Sequence, residues 1–239
     1  MKATDWEFRN RALIFGLIFA VTFPLYAVDH ENATAVVAEW LSMTVGLGAD
    51  LLARLLFACA AFLLIVAAFL RTWASAYLHA AVVYAADVKT ESLVADGPYR
   101  SVRNPLYLAN VLMAVSLGAM MSRIGFVVAV AVMLLFCYRL ILREESELQA
   151  RQGSTYERYN KMVPRLWPSL RPHIAAAGRQ ANWSAGFKAE FWYWGIAAAE
   201  SAFAITLDTT LFFVILGASI ALFWASSWLL RRKPTMGQQ

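Results

Sequence analysis

Residues 51–70 read LLARLLFACAAFLLIVAAFL, twenty positions that carry one charge, Arg54. That length matches the roughly 20 apolar residues a helix needs to cross the hydrocarbon core of a bilayer, about 17 sufficing at the short end. Five further stretches meet the same test: 11–28, 106–122, 124–142, 191–207 and 209–230. Backbone polar groups inside lipid must be satisfied within the spanning structure. The expected fold is therefore all-α, a polytopic membrane helix bundle of about six transmembrane helices. Composition agrees, with 60% of the 239 residues hydrophobic and 15% charged, far from the balance of a soluble domain.

The cations orient this bundle. Arg71, Lys89, Arg100 and Arg103 fall between spans two and three, and eight more, from Arg143 to Lys188, fall between spans four and five. Lys2 and Arg9 precede span one, and Arg231, Arg232 and Lys233 follow span six. The other side carries Arg54 and Arg123 beside Asp29, Glu31, Glu39 and Asp50. Cytoplasmic loops are the basic ones, so the expectation is a multi-pass protein of the cell (inner) membrane with both termini cytoplasmic. Span one reads as a retained anchor, because Asp5 and Glu7 dilute the basic region before it and no clear cleavage site follows. The net charge of +5 reports topology, and no nucleic-acid partner is expected. His30, His79 and His173 are far apart, and Cys59 and Cys137 lie inside apolar runs. Neither a metal site nor a disulfide framework is expected.

Two polar segments, 71–105 and 143–185, share the cytoplasmic face. The first ends in DGPYRSVRNPLYLAN, residues 96–110. Gly97 supplies backbone freedom, Pro98 fixes the next φ, and Pro105 suits the first turn of span three, where a missing N–H costs nothing. Asn104 then occupies the N-cap position, and the exposed amides of a helix start favour an anion. Arg103 adds a guanidinium fork for a carboxylate or phosphate. A capped helix entry with Arg100 and Arg103 touching lipid headgroups explains the same residues.

The second constellation is YRLILREESELQ, residues 138–149, which runs from the end of span four into the second segment. Arg139 lies inside the apolar run near its cytoplasmic end, where a charge pairs or works, or snorkels. Glu144 and Glu145 follow. The connection at 121–125 is so short that spans three and four form an antiparallel hairpin, which brings both clusters to one depth. An arginine with helix-end amides, two carboxylates, and the rings of Tyr99 and Tyr107 make a pocket for a zwitterionic cofactor.

This ordered series, GPYRSVRNPLYLAN, then EESEL, then GSTYERY and VPRLWP, resembles the isoprenylcysteine carboxyl methyltransferase and phospholipid methyltransferase family. The resemblance covers about residues 70–170. It implies S-adenosylmethionine held on the cytoplasmic side and an acceptor, a lipid or lipophilic small molecule, arriving from the membrane. It further implies cofactor contacts from Gly97, Pro98, Tyr99, Arg103, Asn104, Pro105, Tyr107, Glu144 and Glu145, catalytic roles for Arg139 and Glu144, and no metal. Asn104 stands where the family signature often has histidine, so a role needing a titrating imidazole is absent. The division implied is 1–70 as N-terminal transmembrane helices, 71–170 as the methyltransferase core and 171–239 as a C-terminal helical hairpin without a motif-based role. A membrane reductase using NADPH and a non-catalytic transport or scaffold subunit are the alternatives. Glu200, midway along span five, pairs inside the bundle or contacts the acceptor, and FWYW at 191–194 reads as an interfacial aromatic belt.

Overall fold

The computed structural model describes residues 1–87 and 95–231; Lys89, Arg232 and Lys233, part of the charge argument, lie outside them. The described residues form α1 (Asp5–Arg9), α2 (Arg11–Thr22), α3 (Ala33–Val45), α4 (Ala49–Asp87), α5 (Pro105–Gly118), α6 (Arg123–Gln152), α7 (Ser154–Met162), α8 (Trp183–Ala189), α9 (Phe191–Thr206) and α10 (Thr209–Arg231). Among them the one β contact is a bridge between Asn32 and Ser122.

The all-α expectation holds. Two helices, at Ala49–Leu78 and Arg123–Gln152, are long and apolar enough to cross a membrane. Shorter apolar helices occupy Arg11–Ala27, Ala33–Val45, Pro105–Gly118 and Thr209–Leu222. Among the described residues, two of the six expected spans thus meet the spanning length outright. The expected span at 106–122 is 14 residues of helix, because α5 stops at Gly118. There the Thr34 hydroxyl (2.8 Å) and the Asn32 amide (3.2 Å) both donate to the Ala119 carbonyl. Helix α3 was not among the expected segments, since its 13 residues fall short of the spanning length.

Helix α4 has no Gly or Pro in its 39 residues, so nothing interrupts it. At 1.5 Å per residue it is about 58 Å long, against a hydrocarbon core of about 30 Å, and it carries Arg71 and Ser75 beyond its apolar run. It packs against α3, α5, α8 and α9. Lipid gives apolar helices no reason to exclude it, so contact depends on close approach by small residues. Ala60, Ala61, Ala67, Ala68, Ala74 and Ala76 are buried along α4. On α8, a Cβ at Gly186 would stand 2.6 Å from the Thr72 carbonyl oxygen.

The expected antiparallel hairpin is α5–α6. At the turn, Arg123 pairs with Asp29 at 2.8 Å and Glu31 at 2.6 Å. Helix α6 continues past its apolar part to Gln152, and Gly153, whose φ is +52°, separates it from α7. Tyr193 is fully buried rather than belt-like. Glu200 accepts from the Ser116 hydroxyl at 2.8 Å.

Candidate functional site

At the end of the hairpin away from its turn, Gly97 opens a short 3-10 turn, Gly97–Arg100, with φ +58°. A Cβ there would be 2.4 Å from the Tyr77 ring, so both conformation and space require glycine. Buried Pro98 follows. The chain then runs beside the loop after α7: Arg103 N–H donates to Pro164 O at 2.9 Å, Ser169 N–H to Ser101 O at 3.0 Å and His173 N–H to Arg100 O at 3.0 Å. The buried carboxylate of Asp96 accepts from the amides of Ala177 (2.7 Å) and Arg179 (3.1 Å). Pro105 begins α5, as its missing N–H allows.

Asn104 occupies the N-cap position, but its side chain makes no capping hydrogen bond. Its amide nitrogen instead donates to Glu145 Oε1 at 3.2 Å and to Arg165 O at 3.0 Å. The reason is a nearby buried carboxylate, a stronger acceptor to satisfy than any helix amide is a donor. Glu145 also pairs with Arg103 at 3.1 Å and Arg165 at 2.8 Å. The two adjacent acids thus do different things: Glu145 ties the walls together, and Glu144 lines the space between them. Asn104→Ala is expected to cost about 1 kcal/mol in thermal unfolding. Asn104→Asp is the worse variant, because it sets a second carboxylate against Glu145.

That space is a cavity of about 510 Å³ lined by Tyr99, Arg103, Asn104, Pro105, Tyr107 and Glu144, together with Arg11, Phe15, Arg71, Leu78, Tyr156 and Tyr159. Helix α6 contributes Glu144, Glu147, Leu148, Arg151 and Gln152, a spacing of three and four that keeps one helical face toward the cavity. The Tyr107 hydroxyl donates to Glu144 Oε1 at 2.7 Å and the Tyr159 hydroxyl to Tyr99 O at 2.8 Å. Burial raises the phenol pKa values of Tyr99, Tyr156 and Tyr159, keeping them neutral donors. Arg103 Nε and Gln152 Oε1 are buried without a hydrogen-bond partner, one donor and one acceptor on residues that line the cavity.

A buried network stands behind Arg71. Its guanidinium binds both carboxylate oxygens of Glu190, the Asn110 carbonyl oxygen at 2.7 Å and the Tyr193 hydroxyl at 3.3 Å, and lies 4.4 Å over the Tyr193 ring. The Ser75 hydroxyl also donates to Glu190.

Of the residues singled out from sequence, six line the cavity. Glu145 braces it, and Gly97 and Pro98 shape the approach. Arg139 is not among the lining residues; its Nη2 donates to both oxygens of Glu7, at 2.9 and 2.7 Å. The Thr4 amide and then Arg139 hold the Glu7 carboxyl down from 4.5 to about 2. A depressed acid contributes stability above its unfolded pKa, so this clamp is present at neutral pH and is lost as pH falls from about 4 toward 2. Tyr156 and Tyr159 sit in GSTYERY, which the motif series contains. Arg71, Glu190, Arg11 and Phe15 had no motif to mark them.

The fold and site define an all-helical protein, with two helices long and apolar enough to cross a membrane, whose hairpin end forms a candidate small-molecule pocket with Arg103 and Glu144 on its walls. Residues 55–153 match the phospholipid methyltransferase family, in agreement with the motif resemblance. The chain is 32% identical over 88 residues to a nickel-cobalt-cadmium resistance protein of Alcaligenes xylosoxydans xylosoxydans, covering 37% of this chain and 41% of that one. It is 24% identical over 129 residues to a cobalt-zinc-cadmium resistance protein of Cupriavidus metallidurans, covering 53% and 60%. The matches thus span less than two thirds of either relative. No solved structure gives a significant match.

Proposed function

We propose that the protein is an integral membrane methyltransferase that moves a methyl group from S-adenosylmethionine to a lipophilic or membrane-presented acceptor. In this reading the cavity opens on the cytoplasmic side of a bundle of about six spans, with both termini on that side. The observation that carries it is convergence within the family-matched segment: Tyr99, Arg103 and Asn104 from the chain leading into α5, with Pro105 and Tyr107 from its first turn, meet Glu144 of α6 around one cavity.

The residues fit the cofactor. The volume lies within the range of about 300–1,000 Å³ usual for small-molecule sites. The unpartnered Arg103 Nε suits a carboxylate and the unpartnered Gln152 Oε1 an amino group. Glu144 opposes a cation or binds ribose hydroxyls, and tyrosine rings suit a sulfonium or adenine. S-adenosylmethionine, when bound, supplies a methyl on an activated sulfonium, so that a nucleophile takes the methyl and the C–S electron pair returns to sulfur. The protein's own tasks are alignment and exclusion of water. Tyr107 fixes the Glu144 carboxylate, and Glu145 fixes Arg103. Arg139 acts from a distance, by holding the N-terminal segment through Glu7.

The names of the two relatives concern metal resistance. Among the described residues no group of three or more His, Cys, Asp or Glu side chains is placed to hold a metal ion, and the proposal gives a metal no part.

Calorimetry of the detergent-solubilised protein with S-adenosylhomocysteine and no added metal tests the reading. Saturable binding is expected. Glu144→Gln should weaken it by about tenfold or more, the size of a lost charged hydrogen bond. Absence of heat at millimolar ligand with folded protein would remove the proposal.

A further inference from the structure

One wall of the cavity comes from Arg11 and Phe15 of α2, outside the family-matched segment 55–153. Most charges around the cavity cancel in pairs. Arg71 is opposed by Glu190, Arg103 by Glu145, and Glu147 by Arg143 at 2.9 Å. The lining charges left are Glu144, Arg151 and Arg11. Arg151, at the last turn of α6, and Arg11, at the first turn of α2, are both exposed, and they differ in how they are held. Arg11 is held in place: its Nη1 donates to Phe8 O at 2.8 Å, and its guanidinium lies 4.4 Å over the Phe8 ring. Among the described residues it has no carboxylate within ion-pairing distance, though it acts electrostatically on Glu144 and Tyr107.

The segment that presents Arg11 is itself clamped to α6. Arg139 pairs with Glu7 and Arg143 with Asp5, both at 2.7 Å, and Ala3 N–H donates to Arg139 O at 3.1 Å. The Arg143 guanidinium lies 4.8 Å from the Phe8 ring, so Phe8 is gripped by two arginines. A guanidinium held by its own helix start, lining a cavity and without an ion-pair partner among the described residues, is an anion contact with its orientation partly set in advance. Phe15, Leu78 and Leu148 supply apolar surface on the same cavity.

We propose that Arg11 selects the methyl acceptor by binding an anionic group on an amphiphile whose apolar chain lies along Phe15, Leu78 and Leu148. The word acceptor rests on the methyltransferase reading; the anion contact does not. Arg139 is then a positioning residue, acting on Arg11 through Glu7 and α1.

Photolabelling separates the two. The purified full chain in uncharged detergent is irradiated with a diazirine fatty acid or the fatty alcohol of equal length, and adducts are mapped by peptide mass spectrometry. The acid is expected to label the peptides of Phe15, Leu78 and Leu148 about tenfold more than the alcohol, as one charge-assisted contact would give. Arg11→Gln should bring the acid down to the level of the alcohol, Arg11→Lys should keep part of the preference, and Arg139→Gln should lower it without abolishing it. Affinity for S-adenosylhomocysteine should change by less in Arg11→Gln than the acid preference does, since Arg11 acts on Glu144 only at a distance. Equal labelling by acid and alcohol in the parent protein overturns the proposal without any variant, as does undiminished acid labelling in Arg11→Gln. Acid preference in a protein that binds no S-adenosylhomocysteine would uphold the anion contact and remove the methyltransferase reading.

Discussion

Glu145→Ala is expected to abolish measurable S-adenosylhomocysteine binding and to lower stability by about 3–5 kcal/mol, the cost of breaking a buried ion pair by removing one partner. The carboxylate is buried, and it is the acceptor for Arg103, Arg165 and Asn104 together. Without it Arg103 keeps its contact with Asn160 but has no opposing charge, and it can no longer hold Nε toward the cavity. Glu145→Gln should fall between, because an amide oxygen accepts from Asn104 but does not neutralise two guanidinium groups. Thermal unfolding in detergent and calorimetry on the same samples check both parts. A Glu145→Ala protein with parental melting and affinity would show that the loop closure does not depend on this hub.

Glu190→Ala is the second large effect, again about 3–5 kcal/mol, and it arises far from every motif. Arg71 is buried against Glu190, Asn110 and Tyr193, and loss of the acid strands its charge. Replacing both partners with apolar residues of similar volume, Arg71→Met with Glu190→Leu, should recover much of the stability, since an absent pair costs less than a broken one. Cofactor binding should not recover to the same degree, because Arg71 lines the cavity. A double variant no more stable than Glu190→Ala alone would mean that the network is held by packing and not by charge.

The legible part of this molecule was local. Apolar run length marked α4 and α6, and the short connection between spans three and four marked the hairpin. Gly97, Pro98 and Pro105 could be placed because their backbone constraints act within a few residues. Helix α3 escaped because a 13-residue helix does not look like a span. Position alone gives Asn104 a capping role; its partner Glu145 is 41 residues away. Arg71 and Glu190 are 119 residues apart, and no spacing rule joins them. Arg139 shows the same limit. Its cost inside an apolar run correctly demanded a partner, but the choice between an acceptor and Glu7 depended on where α1 lies.

Helix α6 leaves the membrane-like run and reaches Gln152 without a break, so Glu144, Glu147, Leu148, Arg151 and Gln152 inherit their direction from residues buried some turns earlier. The apolar stretch is therefore also a phase setter for the pocket. One residue added or removed between Met133 and Ile141 would turn everything beyond it by about 100°, swinging all five side chains off the cavity at once while leaving hydrophobicity, charge and every motif intact. Three or four residues together, close to a full turn, would be far better tolerated. Homologous chains with the same motifs but a shifted count in this stretch would have to build their pocket from a different face of the helix.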